Sequence, residues 1–429
     1  MNKDLEFPEN FLWGAAQSAY QTEGHNYNND WYKFEQIKGK IKNNDTCGAA
    51  CDHYNRFDSD FELLSNLNQN AHRTGIEWSR IVPEENEVNH DEIEHYHKVF
   101  ESLKKHNLTS FVTVHHFTIP LWFEKKGGFL KRKNLKHFEY YCDILAKNFP
   151  EVEYWNTINE PGVLPLMGYM SKDYPPGRSS FLAFLKVYNN ILRAHGIAYH
   201  KIKEKNPKSQ VGIVKNVPYF YQKFYGKFWK KRVVSFFDNV YNQIFFDLLN
   251  NGRVSLNPLI REKCLKGTSD FFGINYYDAL YFKFKLGIPY GMDFMLPEDT
   301  RFTQMGWGIY PRGLYENIMR VKKEFNGPIY ITENGIATLE DKERQSFILE
   351  HLLAVHRAIK EGADVRGFFY WSSMDNWEWA EGFEPRFGLI GIDYETQERQ
   401  IRESAKMYGE IAKQNKISAN LLEKFKLNA

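Results

Sequence analysis

The 429-residue sequence has no run of about 18 uninterrupted apolar residues, which removes a membrane-spanning helix. It has no excess of either charge. Its 56 Lys and Arg stand against 54 Asp and Glu, and the formal charge of +2 gives no case for nucleic acid as a partner. Cysteine is scarce: Cys47, Cys51, Cys142 and Cys264 are too few for a disulfide scaffold in a chain of this length. The pair in CGAAC (47–51) has no second Cys pair or His-x-x-x-His to complete a zinc site. Reduced thiols and a cytoplasmic location are expected. The N-terminal MNKDLEFPENFLWG mixes charges with Pro8 and lacks the apolar core of a signal peptide. No G-x-G-x-x-G follows the first strand-like run, which counts against a dinucleotide site. Internal repeats, long linkers and low-complexity segments are also missing, so one domain over 1–429 is expected.

What is present is a composition of 42% hydrophobic and 16% aromatic residues, enough for a large core. Eight short apolar or β-branched runs recur: 11–17, 70–78, 110–116, 152–159, 210–217, 270–277, 328–335 and 365–374. Helix-periodic segments lie between them, for example 57–69, 91–107, 134–149 and 344–362. Alternation of strand and helix argues a parallel sheet with crossover helices. Eight strand candidates predict a closed (β/α)₈ TIM barrel with elaborated βα loops.

In such a barrel the reactive groups collect where strands end and βα loops begin. VEYWNTINEP (152–161) is a strand-like run that stops on Glu160, before a proline that cannot continue the ladder. Reading the other runs in the same way gives Gln21, Arg73, His115, His116, Asn159, Asn275, Tyr277, Glu333 and Trp371, with Glu378 and Trp379 in the last loop. Each alone has an ordinary explanation, as a solvated carboxylate, a structural His or a packing Trp. Together they place two carboxylates on the fourth and seventh strands, across one mouth. Glycoside hydrolysis needs a proton donor and a second carboxylate flanking the anomeric carbon. Planar amide and guanidinium donors suit sugar hydroxyls, and Trp faces suit the apolar side of a pyranose.

These segments resemble glycoside hydrolase family 1, the retaining β-glucosidases and β-galactosidases. FPENFLWGAAQSAYQTEG resembles the family's N-terminal signature, and TINEP and YITENG resemble its two catalytic motifs. The stretch from WSSMDNWEWAEGF to ESAKMY resembles its C-terminal block. The resemblance implies hydrolysis of a small β-glycoside with net retention, with no cofactor and no metal. It assigns Glu333 as nucleophile and Glu160 as general acid/base. Arg73, Asn275 and Tyr277 match the positions supporting the nucleophile. Gln21, His116, Asn159, Trp371, Glu378 and Trp379 match those holding the sugar, with Asn159 on the 2-hydroxyl.

Members of the family that cleave 6-phosphosugars carry Ser where this chain has Glu378, with Lys and Tyr further on. The corresponding residues here are Pro385 and Phe387. A carboxylate repels phosphate and neither Pro nor Phe donates to it, so neutral sugars are expected. Phe117 replaces the family's usual Trp, and Arg73 sits in HRTGIEW without the usual aromatic and Ser beside it. The leading expectation is a β-glucosidase with some β-galactosidase or β-fucosidase tolerance; the alternatives are a β-mannosidase or a β-galactosidase. A metal-dependent hydrolase using His115 and His116 is disfavoured, because adjacent strand residues face opposite ways. A sugar-binding barrel without chemistry is disfavoured because both glutamates are present. The aromatic and basic segment 219–237 and the aromatic-rich 281–297 follow the fifth and sixth runs. They suggest a preference for hydrophobic aglycones, with peripheral membrane association and homo-oligomer contact as weaker readings.

Overall fold

In the computed structural model all eight runs form strands of one closed barrel. The residues described are 3–220, 232, 235, 238–253, 262–280, 283–284, 292–293 and 300–427. The strands are β1 (Leu12–Ala16), β2 (Ala71–Gly75), β3 (Thr109–His115) and β4 (Tyr154–Asn159). They continue as β5 (Gln210–Asn216), β6 (Phe271–Asn275), β7 (Ile329–Asn334) and β8 (Val365–Trp371). Every strand pairs in parallel with its neighbours in sequence, and β8 closes on β1, with Gly367 opposite Leu12 and Trp371 opposite Ala16. The (β/α)₈ expectation is met.

One main helix follows each strand: α1 (His53–Asn66), α2 (His90–Lys105), α3 (Leu135–Asn148) and α4 (Phe181–Lys205) after the first four. Then come α5 (Ile244–Asn251), α6 (Pro311–Glu324), α7 (Asp341–Lys360) and α8 (Glu403–Gln414). Local chemistry sets several of their starts. Asn89 accepts from the Asp91 and Glu92 amides, Ser180 from the Ala183 amide, and Pro311 opens α6.

Strand residues alternate between two cores. Outward side chains such as Trp13, Val112, Trp155 and Ile213 meet the helices in the main core. Inward ones at the lower end of the barrel, Phe111, Phe271, Tyr330 and Phe369, pack on one another with Ala16 and Ala71. Phe111 stacks on Tyr154 with centroids 4.2 Å apart and meets Phe369 at 4.7 Å. This aromatic plug fills one end of the barrel and leaves the C-terminal end to polar groups.

Outside the barrel, Tyr219–Phe220 pairs with Ala279–Leu280, joining the loops after β5 and β6. Most of 219–237 and of 281–297 lies outside the described residues. Among the described residues no helix is long and apolar enough to cross a membrane.

Candidate active site

Glu160 is the first residue past β4. Its amide donates to the Val214 carbonyl of β5 at 2.9 Å, a last rung of the ladder before Pro161 ends it. Its φ is 45°, a left-handed backbone that costs a residue with a side chain roughly 1–3 kcal/mol. Two neighbours share the feature, Phe117 at 73° and Trp379 at 53°. Glu333 lies within β7, and its carbonyl accepts from the Tyr276 amide at 2.9 Å. Gly335 two residues on has a steric reason: a Cβ there would fall 1.7 Å from the Trp371 carbonyl oxygen.

A continuous network joins the two carboxyls. Arg73, fully buried on β2, donates through Nη1 to Glu333 Oε1 and through Nη2 to Asn159 Oδ1 at 2.8 Å. Its Nε reaches Thr113 Oγ1 at 3.3 Å. The Tyr277 hydroxyl donates to the other Glu333 oxygen at 2.6 Å. Asn275 spends both amide hydrogens at once, on Glu160 Oε1 at 2.8 Å and on Asn159 Oδ1 at 3.2 Å. Its own oxygen accepts from Thr332 Oγ1 at 2.8 Å, which fixes the orientation of the amide. Asn159 Nδ2 in turn donates to His116 Nε2 at 3.1 Å.

That last bond sets the His116 tautomer. Burial, with Arg73 nearby, holds the imidazole well below its ordinary pKa, so the ring is neutral. With Nε2 accepting, the proton sits on Nδ1, a buried donor with no protein partner among the described residues. Glu378 Oε2 is likewise buried without a partner. Orphaned buried polar atoms ask for an explanation; two at one mouth fit hydroxyls of a bound sugar. The rings of Trp371 and Trp379 lie within 6.0 Å of His116, nearly parallel to it. Phe117, Tyr174 and Trp31 pack around Trp379.

A family model described as Glycosyl hydrolase family 1 matches residues 3–417. The chain belongs to glycosyl hydrolase family 1. Beta-glucosidase A of Thermotoga maritima is 33% identical, the alignment covering 96% of this chain and 98% of that protein. A 6-phospho-beta-galactosidase of Staphylococcus epidermidis is 32% identical over 97% of this chain and its own full length. Among solved structures, a beta-glycosidase from Pyrococcus horikoshii is 42% identical and covers 99% of both chains with a TM-score of 0.92. The chain is therefore a glycoside hydrolase of the retaining β-glycosidase family. Its near-equal identity to glucosidases and phosphogalactosidases leaves the sugar to particular residues.

In this glycosidase the charges divide the two carboxyls. Burial and then the nearby Glu333 charge push Glu160 up to about 8, with the Asn275 hydrogen bond and Arg73 acting the other way. A carboxyl of that kind keeps its proton at neutral pH. Glu333 stands in a buried ion pair with Arg73. One protonated and one ion-paired carboxyl is the pairing that acid-assisted glycoside cleavage needs. Glu378 is also pushed up to about 8, by burial and the Glu333 charge, against the Trp371 indole N–H.

Of the residues expected from sequence, Arg73, His116, Asn159, Glu160, Asn275, Tyr277, Glu333, Trp371 and Trp379 are joined by these contacts. Gln21 differs in one respect from the others. It lies in a short helix, Ala19–Glu23, and its Nε2 already donates to the Trp377 carbonyl at 2.6 Å and to Asn376 Oδ1 at 3.2 Å. Ser18 Oγ donates to its Oε1 at 2.6 Å. His115 faces away, its ring packed against Phe129 and against Phe138 of α3, as strand alternation requires. Among the described residues no group of three or more His, Cys, Asp or Glu could hold a metal ion.

Sequence reasoning missed Thr332, which orients Asn275; its signal was its place one residue before Glu333 in ITENG. It also missed Trp307, which with Phe387 packs against Tyr277 at 5.4 and 6.2 Å and has no motif to mark it.

Proposed function

We propose that the protein is an exo-acting retaining β-glycosidase that releases the terminal non-reducing β-D-glucosyl residue of neutral O-glycosides. β-Galactosyl and β-fucosyl residues are tolerated, and hydrophobic aglycones are favoured. Glu333 attacks the anomeric carbon while Glu160 gives its proton to the departing aglycone oxygen, leaving a covalent glycosyl-enzyme. Arg73, by its ion pair, and Tyr277, by its hydrogen bond, orient the nucleophile. Once Glu333 is esterified its charge is gone, so the push on Glu160 disappears and its pKa falls. The ionised Glu160 then takes a proton from water, whose oxygen attacks the same carbon and regenerates Glu333. Two displacements on opposite faces give net retention. Asn159 keeps one amide hydrogen for the 2-hydroxyl, and His116 Nδ1–H and Glu378 meet the remaining hydroxyls over the Trp371 and Trp379 rings.

The observation that carries the neutral-sugar reading is Glu378 with its surroundings. Its orphaned oxygen stands at the mouth, while Pro385 and Phe387 are buried and offer no donor to a phosphate. A panel of 4-nitrophenyl β-glycosides differing only in the sugar tests it. The glucoside should exceed its 6-phosphate by at least about 100-fold in kcat/KM, since a phosphate dianion would lose its water shell against Glu378, Pro385 and Phe387 with no cation among them to offset the cost. A preference for the 6-phosphate overturns the reading. Equal kcat/KM for cellobiose and octyl β-glucoside overturns the aglycone preference.

A further inference from the structure

Gly162 is the second residue past Glu160, and its backbone, at φ −87° and ψ −27°, is one that any residue adopts. Conformation therefore does not demand glycine there, but the space is tight. A Cβ at 162 would stand 3.3 Å from Cε2, Cζ and the hydroxyl oxygen of Tyr241, so a larger side chain would push that ring aside. Tyr241 comes from a different part of the fold, the π-helical turn Asn239–Gln243 that leads into α5. Single π-turns of this kind are frequent at functional sites.

The ring is held from behind. Lys215, buried at the end of β5, places its Nζ 4.3 Å from the Tyr241 centroid. The same Nζ donates to the Asn216 carbonyl at 2.8 Å and to Asn242 Oδ1 at 3.0 Å. Asn242, next to Tyr241 in the chain, donates to Asp238, which is paired with Arg320 of α6. One face of the ring is thus fixed by strand and helix, and its edge lies over Gly162. Tyr241 as a whole is half-buried. Asn275 of β6 holds Glu160 Oε1 at 2.8 Å, while two residues on from Glu160 the chain meets the Tyr241 ring at Gly162. The charge that most raises the Tyr241 phenol after burial is that of Glu160, which fits a ring beside that carboxyl.

We propose that Tyr241 is the leaving-group wall of the active site, a specificity-determining residue admitted by Gly162, braced by Lys215, and suited to flat apolar aglycones. The proposal rests on Glu160 being the residue that protonates the aglycone. A stacked or edge-on aromatic contact then favours an aryl over a methyl leaving group by about 3- to 10-fold.

The test compares 4-methoxyphenyl and methyl β-glucosides on wild type, Tyr241→Phe, Tyr241→Ala and Gly162→Leu, with the glucose inhibition constant as a readout of the sugar half. Tyr241→Ala should lower the aryl-to-methyl ratio of kcat/KM about 3- to 10-fold and leave the glucose constant within about twofold. Tyr241→Phe should keep the ratio. Gly162→Leu should lower it, and Gly162→Leu with Tyr241→Ala should recover part of it by filling the vacated space. An unchanged ratio, or an equal fall for both glucosides together with weakened glucose inhibition, overturns the proposal. If Tyr241→Ala does not fold, the ratio for Gly162→Leu decides, and an unchanged ratio there counts against the wall. Azide rescue of Glu160→Ala on a tyrosine-containing background reports separately on the acid/base reading.

Discussion

Replacing Asn275 with Ala isolates what keeps the Glu160 proton at a working pKa. Asn275 Nδ2 donates to Glu160 Oε1 at 2.8 Å, and that bond favours the ionised carboxylate. Burial and the Glu333 charge act in the other direction and bring the group to about 8. A hydrogen bond to a charged group contributes about 1.5–3 kcal/mol, and one pKa unit corresponds to about 1.36 kcal/mol. Its loss therefore raises Glu160 by about one to two units. Glu160 acts as a proton donor in the first displacement, so activity falls as pH rises through its pKa. The alkaline limb of kcat/KM must then move to higher pH in Asn275→Ala. The second displacement needs the ionised form as base, so turnover limited by that step slows at neutral pH. Profiles of kcat/KM from about pH 5 to 10 with 4-nitrophenyl β-glucoside measure the shift. An alkaline limb that stays in place, or moves to lower pH, refutes the assignment of Glu160 and the part given to Asn275.

Tyr277→Phe removes the 2.6 Å bond to Glu333 Oε2 and should lower kcat about 10- to 150-fold, with thermal unfolding little changed. A kcat within about twofold of wild type would contradict a supported nucleophile. Glu333→Gly should leave no turnover of an aryl β-glucoside above background; retained activity would return the sugar-binding barrel to consideration. Glu378→Gln tests the raised carboxyl through stability. In the folded state Glu378 keeps its proton up to about 8, while the unfolded carboxyl loses it near 4.5. Its contribution is thus full below the unfolded value and is lost as pH rises through about 8, at up to about 1.36 kcal/mol per unit. Urea unfolding across pH 5 to 8 should show a shallower decline in Glu378→Gln, and parallel curves would contradict its burial as an acid.

The barrel was legible because each strand carries its own signal. Runs such as SFVTVHH and VRGFFYWSSM are rich in β-branched or aromatic residues, mostly buried on both faces, and the observed strands Thr109–His115 and Val365–Trp371 overlap them. The helices were readable for the complementary reason: in 344–362 the apolar residues recur on one face, and α7 spans Asp341–Lys360. The two glutamates were readable through TINEP and YITENG, where a carboxylate follows an apolar run at a strand end. Their relation was not local. Glu160 and Glu333 are joined through Asn275, Asn159 and Arg73, and Asn275 is oriented by Thr332, the neighbour of Glu333 on β7. Such a network depends on register across the closed barrel, which no single segment encodes. Gln21 shows the same limit: its motif marks it, but the engagement of its donors by Trp377 and Asn376 arises only when the last loop folds back on the first. Tyr241 lay in no motif at all, and only the space above Gly162 points to it.

The division of labour between the two glutamates is tested most directly by the product that Glu160→Ala forms from 2,4-dinitrophenyl β-glucoside in azide. Dinitrophenolate departs without protonation, so Glu333 can still form the glycosyl-enzyme. Azide, which needs no general base, can then attack in the space that the side chain leaves. The anomeric proton coupling in the NMR spectrum of the isolated glycosyl azide reads its configuration. Azide-accelerated turnover yielding the β-glucosyl azide is the predicted result, and an α-azide, or no acceleration, contradicts it.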